Sequence, residues 1–427
     1  MTASLLSAPR LHRTVLTNGL TVLALENPVA DIVSARLFIR AGNALETPPE
    51  AGLVSFLMGL LTKGTQTQSS MAIAEAVESV GASLGTDAAA DYSVISLKTV
   101  SADFAEIFAL AASLLRQPSF PEAEIDLERR LTLQQIRSMQ EQPFTVAFNQ
   151  LRQDMYGSHP YALSSLGTEA SVSALSQERL FAFHQQHFRP DNVVVTVVGR
   201  ITPAAAVEQV QQTLGDWPAP AVSRLELTFP PVSPPGHFSV VPQDTNQAIV
   251  MVGYPAAPVQ HPAYAALKLL NTYLGNGLSS RLFVELREKR GLAYDVSAFY
   301  PTRLGLSQFV AYMGTAPPNA ATALEGLRFE VERLRETPLS EDNLQAAKNK
   351  LLGQYALGKQ TNAQMAQLLG WYEILGLGIE FDQQFPALVA AVTASDAVVA
   401  AQEFFQQPSV SLLGPEDAVR PLAAAYA

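Results

Sequence analysis

The sequence predicts an α+β protein built from two homologous halves, each a sheet covered by helices, joined by a proline-rich linker. Helix and strand patterns of the first half recur in the second at an offset of about 220 residues. Between them, the stretch 217–236 carries prolines at positions 218, 220, 230, 231, 234 and 235, which stiffen an extended connector. We therefore predict α+β domains at 1–216 and 237–427 with a linker at 217–236.

A long helix with an acidic first turn recurs in both halves. It reads RQPSFPEAEIDLERRLTLQQI at 116–136 and RETPLSEDNLQAAKNKLLGQY at 335–355. Each half then closes with an aromatic-rich helix end and an apolar strand, HFRPDNVVVTVVG at 187–199 and FFQQPSVSLLG at 404–414. The runs TVLALE, DIVSARLFIRAG and QAIVMVGYP fit the opening strands of the two sheets.

Composition excludes several classes of protein. With 427 residues, 48% of them hydrophobic, the chain can bury large cores and form two to four domains on a rule of roughly 150 residues per domain. Its formal net charge of −11, without a long basic cluster, argues against a nucleic-acid partner. The absence of cysteine excludes disulfides, thiolate metal sites and a thiol nucleophile.

Neither end of the sequence carries a membrane signal. The first residues, MTASLLSAPRLHRT, lack the apolar core of a signal peptide, and the late apolar run ALVAAVTASDAVVAAQEFF is interrupted by Asp396. We expect a cytoplasmic protein without membrane contact.

The segment 278–294, LSSRLFVELREKRGLAY, sets an arginine and a tyrosine on either side of a helix end. Leu282, Phe283 and Leu286 recur at helical spacing, and Gly291 supplies a left-handed residue that ends the helix. Arg287 therefore lies on the predicted helix and Tyr294 in the extended run that follows. Taken alone, such a pair is more often a surface and packing feature than a functional one.

A second segment suggests an active-site helix that has lost its metal-binding residues. Residues 51–65, AGLVSFLMGLLTKGT, together with 278–294, resemble the pitrilysin/insulinase family of zinc peptidases, in particular the short two-subunit type related to mitochondrial processing peptidase. The resemblance covers nearly the whole chain and implies the LuxS/processing-peptidase-like metallohydrolase fold. In that family this frame carries His-x-x-Glu-His, with a further glutamate in a Glu-Glu-Ile helix about 75 residues later. Here the matching positions are Ser55, Met58 and Gly59, followed by Gln134 and Gln135.

Zinc in a hydrolytic site takes about three imidazole, carboxylate or thiolate ligands. Serine, glycine and glutamine are poor substitutes, and the methionine thioether suits other metals. We therefore expect no metal or other cofactor on this chain. His184 and His187 are three residues apart and are the one other candidate pair, but we interpret HQQHFRPDN as the solvated end of a helix. His159, before a proline, is interpreted as structural.

The resemblance also implies roles for the second segment. The family carries an arginine and a tyrosine seven positions apart, which matches Arg287 and Tyr294. By resemblance, Tyr294 donates a hydrogen bond to the oxyanion at the scissile carbonyl, and Arg287 holds a neighbouring substrate carbonyl. The preceding LGNGLSSRLF matches a glycine-rich segment, so Gly275, Gly277 and Ser279 are candidate substrate-binding residues. A tight turn with Ser279 or Ser280 as helix N-cap is an equally good interpretation.

These features predict a non-catalytic, accessory subunit of a heterodimeric zinc peptidase. It would be inactive alone and would contribute Arg287 and Tyr294 to the site of a partner chain that binds the zinc. The expected partners are that zinc-bearing subunit of the same family and extended peptide substrates, with a homodimer possible in isolation. The alternative is a purely structural or peptide-binding protein that keeps the fold without a role in catalysis. A hydrolase with a different catalytic apparatus is a weaker third possibility.

Overall fold

A computed structural model describes residues 11–222, 227–232 and 236–426 of the chain. Residues 223–226 and 233–235 of the predicted linker lie outside this description. The fold divides into two compact units. Unit 1 comprises Met1–Gln134, Ser165–Leu227 and Ala356–Asp382, and unit 2 comprises Gln135–Ser164, Thr228–Tyr355 and Gln383–Ala427.

Strands and helices are mixed along the chain, with runs of consecutive helices between the fifth and sixth strands and between the tenth and eleventh strands. The strands are β1 His12–Val15, β2 Thr21–Glu26, β3 Val33–Ile39, β4 Ser83–Ala88, β5 Ser93–Thr99, β6 Val193–Gly199, β7 Phe238–Pro242, β8 Ala248–Ala256, β9 Asp295–Phe299, β10 Ser307–Thr315 and β11 Ser409–Gly414. The α-helices are α1 Leu53–Leu60, α2 Ser70–Glu78, α3 Phe104–Arg116, α4 Glu122–Gln140, α5 Pro143–Tyr156, α6 Glu169–Ala174, α7 Gln177–His187, α8 Pro203–Leu214, α9 Tyr264–Gly275, α10 Ala320–Glu332, α11 Glu341–Leu357, α12 Asn362–Ile374, α13 Phe381–Ala391, α14 Ala394–Phe404 and α15 Glu416–Tyr426. A π-helical segment occupies Phe283–Glu288.

The two sheets have the same topology. The sheet of unit 1 has the order β1-β2-β6-β3-β5-β4, and the sheet of unit 2 has the order β7-β11-β8-β10-β9. In both, one parallel pair is followed by antiparallel pairs: β2 with β6 in the first sheet and β7 with β11 in the second. Apart from the additional β1, each strand of one sheet has a counterpart in the other. This correspondence confirms the predicted α+β fold of two homologous halves.

Each sheet is covered in part by a helix from the opposite half of the sequence. Helix α5, from the first half, packs on β8 and β11, and α12, from the second half, packs on β3 and β6. Glycine allows the close approach on both sides. A Cβ atom at Gly370 of α12 would lie 2.2 Å from Phe38, and one at Gly253 of β8 would lie 2.5 Å from the sulfur of Met155 in α5.

The predicted domains 1–216 and 237–427 each contain one sheet, but the compact units are not continuous in sequence. Units 1 and 2 exchange the segments that carry α12 and α5. The sequence carries no local signal for this exchange, because an amphipathic helix does not encode which sheet it covers.

No single helix in the described part of the chain is long and apolar enough to cross a membrane. One helix pair, Phe381–Ala391 and Ala394–Phe404, passes the same test of length and composition when taken together, with a bend of 101° between its members.

Candidate functional site

Helix α1 carries the three positions that the sequence analysis assigned to a lost metal motif. Ser55 is half-buried, and its hydroxyl accepts a hydrogen bond from the Asn43 side-chain amide at 3.2 Å. Met58 is 1% exposed and therefore belongs to the core. Gly59 offers no side chain at all. As possible metal ligands, these three positions therefore supply one hydroxyl group and one buried thioether, and Gly59 supplies no ligand atom from a side chain.

A buried carboxylate fixes the start of this helix. Glu46 accepts hydrogen bonds from the backbone N–H groups of Gly52 at 2.9 Å and Val54 at 2.8 Å. The Asn43 amide donates a third, at 2.9 Å. These bonds satisfy donors that a helix N-terminus otherwise leaves without partners. Burial raises the pKa of Glu46 to about 7.

Helix α4 contributes Glu128, the acidic residue nearest to Gly59. A Cβ atom at Gly59 would lie 2.8 Å from Oε1 of Glu128, so this carboxylate occupies the space that a side chain at 59 would fill. Burial raises the pKa of Glu128, and Lys63 opposes that shift. Gln134 and Gln135 are exposed on the same helix. Gln135 follows Glu128 by seven residues, or about two helical turns, and so shares its face of α4.

The residues at these positions do not fit a zinc ion. Serine, a buried methionine and glycine stand where zinc takes imidazole and carboxylate ligands, and the nearest side chain to Gly59 is that of Glu128. Within the residues that the structure describes, no group of three or more His, Cys, Asp or Glu side chains is arranged to hold a metal ion.

His184 and His187 are core residues, which corrects the interpretation of their segment as a solvated helix end. Both rings are buried, and a ring nitrogen of His184 bonds with the carbonyl of Leu115 at 2.8 Å. Burial lowers the pKa of each histidine to about 4. The C-terminal turn of α7 packs inward because the aromatic rings of Phe183 and Phe188 flank the two imidazoles. His159 is also buried, and its Nδ1 accepts a bond from the backbone of Tyr161.

Arg287 lies on a π-helical segment rather than on the α-helix that the spacing predicts. The backbone N–H of Lys289 bonds to the carbonyl of Val284, five residues earlier, at 3.0 Å. Arg287 is exposed, and its guanidinium carbon lies 4.9 Å from the ring centre of Phe283. Single π turns in helices are frequent at functional sites.

An ion-pair cluster holds this segment against α10. Arg281 bonds to Glu330 at 2.9 Å and to Glu285 at 2.9 Å, and Glu330 is 1% exposed. A Cβ atom at Gly326 of α10 would lie 2.9 Å from Leu286, so the two elements approach closely. These contacts hold Arg281 and Leu286 against α10, whereas the Arg287 side chain stays exposed.

The predicted helix end at Gly291 is confirmed. Gly291 has φ +64°, and its N–H bonds to the carbonyl of Arg287 at 3.1 Å, as in the αL helix-capping motif. Tyr294 follows immediately before β9, and its N–H bonds to the carbonyl of Gly314 at 2.9 Å. The backbone at Tyr294 is therefore fixed to the sheet of unit 2, whereas its side chain is 63% exposed.

The glycine-rich segment joins α9 to the Arg287 helix. Gly275 must be glycine, because a Cβ atom there would lie 2.1 Å from the backbone nitrogen of Ala298 in β9. Gly277 has φ +78°, and the N–H of Ser280 bonds to its carbonyl at 3.0 Å, which makes a tight turn. Ser279 is exposed, and the hydroxyl of Ser280 is buried without a hydrogen-bond partner. The turn interpretation therefore has direct support, and no described hydrogen bond assigns an N-cap role to the Ser280 side chain.

Sequence reasoning missed Glu46 and Glu128. Glu128 could have been found, because it lies seven residues before Gln135 and at helical spacing from the buried Ile125 and Thr132. Glu46 carries no comparable signal, since its role depends on how a loop folds back onto α1.

Two models of one protein family match consecutive parts of the chain. The model described as Insulinase (Peptidase family M16) matches residues 21–169, and the model described as Peptidase M16 inactive domain matches residues 174–351. Together they cover most of the sequence.

Individual relatives match over nearly the full chain. A protein of Streptomyces coelicolor named as an uncharacterised zinc protease is 28% identical over 411 residues, which covers 95% of this chain and 89% of the relative. A similarly named protein of Bacillus subtilis is 25% identical and covers 93% of this chain and 97% of its own length. Among solved structures, a peptidase M16 inactive domain from Pseudomonas fluorescens superposes with a TM-score of 0.88 at 24% identity, covering 95% of this chain and 98% of that one. A protease from Helicobacter pylori gives the same TM-score of 0.88 at 21% identity, over 95% of this chain and 100% of that one.

Proposed function

Because the chain belongs to the insulinase family of peptidases, M16, we propose that it is the accessory, substrate-binding subunit of a heterodimeric zinc peptidase. The observation that carries this proposal is an asymmetry between its two halves. The helix at the position of the family's metal motif offers Ser55, Met58 and Gly59, whereas the second half keeps Arg287 and Tyr294 with exposed side chains.

The proposed chemistry of the two retained residues is hydrogen bonding. The phenol of Tyr294 donates to the oxyanion that develops at the scissile carbonyl, and Arg287 donates to a neighbouring carbonyl of the substrate. A donor directed at developing charge in a site without water contributes about 10²–10³ in rate. This chain binds no zinc in the proposal; the metal and the general base belong to a partner subunit with the intact His-x-x-Glu-His motif.

Extended peptides are the proposed substrates. Sheet edges bind such peptides through main-chain hydrogen bonds, and β4 and β9 are edge strands in the two sheets. Gly277 and Ser279, which are exposed, remain proposed substrate contacts next to the Arg287 segment, whereas Gly275 is buried against β9 and would act only by shaping the turn. A cytoplasmic location for the complex remains a prediction from the sequence, to be checked by cell fractionation.

The test is reconstitution. The chain is co-purified from its source to identify the zinc-bearing subunit, and zinc content and peptide cleavage are then measured for each subunit alone and for the mixture. We expect cleavage in the mixture and neither stoichiometric zinc nor cleavage in this chain alone. Zinc-dependent cleavage by the isolated chain would contradict the proposal.

The role of Tyr294 is tested in the same mixture. We expect Tyr294→Phe to lower kcat by about 10²-fold with little change in KM, because the hydrogen bond forms in the transition state. Tyr273→Phe, in the same unit, is the matched control and should leave kcat unchanged. An unchanged kcat in Tyr294→Phe would favour a purely structural or peptide-binding role for this chain.

A further inference from the structure

Unit 1 contains a groove between α12 and the sheet that plays no part in the proposal above. Its volume is 530 Å³, within the range of roughly 300–1,000 Å³ that is typical of small-molecule sites. The residues that define its chemistry are Arg36, Tyr92, Gln364, Gln367, Leu368 and Trp371. Among the described residues that line the groove, Arg36 is the one cationic side chain, and none is an Asp or Glu.

Arg36 is an unusual residue for its position. It lies in the middle of β3, between the buried residues Ala35 and Leu37, and it shares the face of the strand with Phe38, which packs under α12. Strand register sets it opposite Thr196 of β6 and Ser96 of β5, which are uncharged.

The guanidinium has fewer partners than its burial requires. Its Nη1 donates to the carbonyl of Ala35 at 3.0 Å and to that of Leu97 at 3.4 Å. Its Nε is buried without a hydrogen-bond partner. No Asp or Glu within the described residues forms an ion pair with Arg36, and burial lowers its pKa. Arg36 is only partly buried, but even a partly buried charge without a counter-ion carries a desolvation cost, and a ligand that supplies the anion reduces that cost.

The walls of the groove indicate what else the ligand carries. Trp371, Tyr92 and Leu368 offer aromatic and aliphatic surface, and Gln364 and Gln367 offer amides at the border. A planar guanidinium matches a carboxylate in geometry. One cation also matches one negative charge, whereas the second charge of a phosphate group would find no second cation among the described residues of the lining.

We propose that this groove binds a carboxylate attached to an aromatic or aliphatic group, with Arg36 bound to the carboxylate and Trp371 packed on the apolar part. Two sources present this chemistry: the C-terminal residue of a peptide, and an acidic side chain beside an apolar residue. The site stands on contacts inside unit 1 alone and does not depend on a partner subunit.

The experiment uses the full chain and three acetylated dipeptides. Ac-Ala-Phe-OH carries a C-terminal carboxylate, Ac-Glu-Phe-NH₂ carries an acidic side chain, and Ac-Ala-Phe-NH₂ carries neither. Binding is measured by titration calorimetry and by the fluorescence of Trp371 in a Trp217→Phe background, which leaves one tryptophan in the chain. We expect one or both carboxylate peptides to bind at least tenfold more tightly than the neutral peptide, and the stronger of the two identifies the source.

Two variants and one control connect binding to the groove. Arg36→Gln removes the charge and should weaken carboxylate binding at least tenfold. Ala363→Phe places a large side chain of α12 in the groove and leaves Arg36 unchanged, so it should also weaken carboxylate binding at least tenfold. This second variant keeps the test valid if Arg36→Gln fails to fold. Arg200→Gln removes an exposed arginine of the same unit and should leave binding unchanged.

The proposal is overturned by any of three results: no binding of either carboxylate peptide to the folded chain, equal binding of the neutral peptide, or carboxylate binding that both variants leave intact. Inorganic phosphate is titrated as a fourth ligand, and saturable phosphate binding that exceeds carboxylate binding would also overturn it.

Discussion

Glu46 joins a loop to the first turn of α1 through three accepted hydrogen bonds. The carboxylate is buried, and burial raises its pKa from the ordinary value of 4.5 to about 7. Between these two values the folded state holds a proton that the unfolded state has released. The contribution of Glu46 to stability is therefore fully present below about pH 4.5 and is lost as the pH rises to about 7.

We predict that Glu46→Gln removes this dependence. Glutamine does not titrate, so the free energy of unfolding of the variant relative to the wild type should rise by about 1.4 kcal/mol per pH unit between about pH 5 and 7. His184 and His187, whose lowered pKa values act in the opposite direction, are common to both proteins and cancel in this difference. Denaturant unfolding at several pH values measures it, with the exposed Glu78→Gln as control. A difference that is constant with pH would contradict the prediction.

Single residues were predictable from sequence where spacing alone defines the chemistry. The helix end at Gly291 is such a case. The assignment of Ser55, Met58 and Gly59 to a lost metal motif, in contrast, comes from the resemblance to the peptidase family. Arg36 was missed because one charge in an apolar strand does not reveal whether it points to solvent or into a groove. Its significance appears only when α12, more than 300 residues away in sequence, covers that face.

At the scale of elements, two glycines allow the exchanged helices to approach the sheets. A Cβ atom at Gly370 would meet the ring of Phe38 at 2.2 Å and the hydroxyl of Thr196 at 2.6 Å, both fully buried. At Gly253 the nearest atom is the sulfur of Met155, at the flexible end of a side chain, which can move. The contact at α12 is therefore the less tolerant of the two.

We predict that Gly370→Ala lowers the free energy of unfolding by about 1–3 kcal/mol, because the added methyl overfills a packed contact. Gly353→Ala is the matched control, since Gly353 lies in α11 with nothing within 4 Å of an added Cβ. There the helix propensity of alanine should stabilise the protein by about 0.5–1 kcal/mol. Thermal and denaturant unfolding check both values, and equal effects of the two substitutions would show that packing at α12 is loose.

Several elements were predicted from their sequence patterns, namely α4, α11 and the strands β2, β3, β6, β8 and β11. The π-helical segment could not. Its apolar spacing fits an α-helix, and the extra residue in the turn is accommodated by contacts of Leu286 and Arg281 with Gly326 and Glu330 of α10. Such contacts join residues about 40–50 positions apart and leave no mark in a local pattern.

At the scale of the whole molecule, long-range side-chain bonds accompany the helix exchange in unit 1. Arg13 of β1 forms a two-bond ion pair with Glu373 of α12, at 3.1 and 2.8 Å. Asn27 bonds to Asn362 at 2.7 Å, across 335 positions of sequence. The duplication was predictable because it repeats in sequence, whereas the exchange was not.

We predict that cleavage of the linker leaves the two halves of the chain associated. With a protease site inserted in 217–236, cleaved protein should elute at its uncleaved volume in gel filtration. Residues 1–216 expressed alone should aggregate, because the faces of β3 and β6 under α12 are then exposed. Co-expression with 237–427 should restore the folded species. Separate elution of two folded halves would contradict the exchange.

The exchange of α5 and α12 also sets an order of events during synthesis. When the last strand of the first sheet, β6, has left the ribosome, that sheet still lacks its cover, which arrives about 170 residues later with α12. At roughly 5–20 residues per second, an apolar face stays open for about ten seconds or longer. Helix α5, in turn, waits without its own sheet until β8 and β11 are made. The nascent chain therefore needs chaperones or similar factors to cover these apolar surfaces until translation is nearly complete.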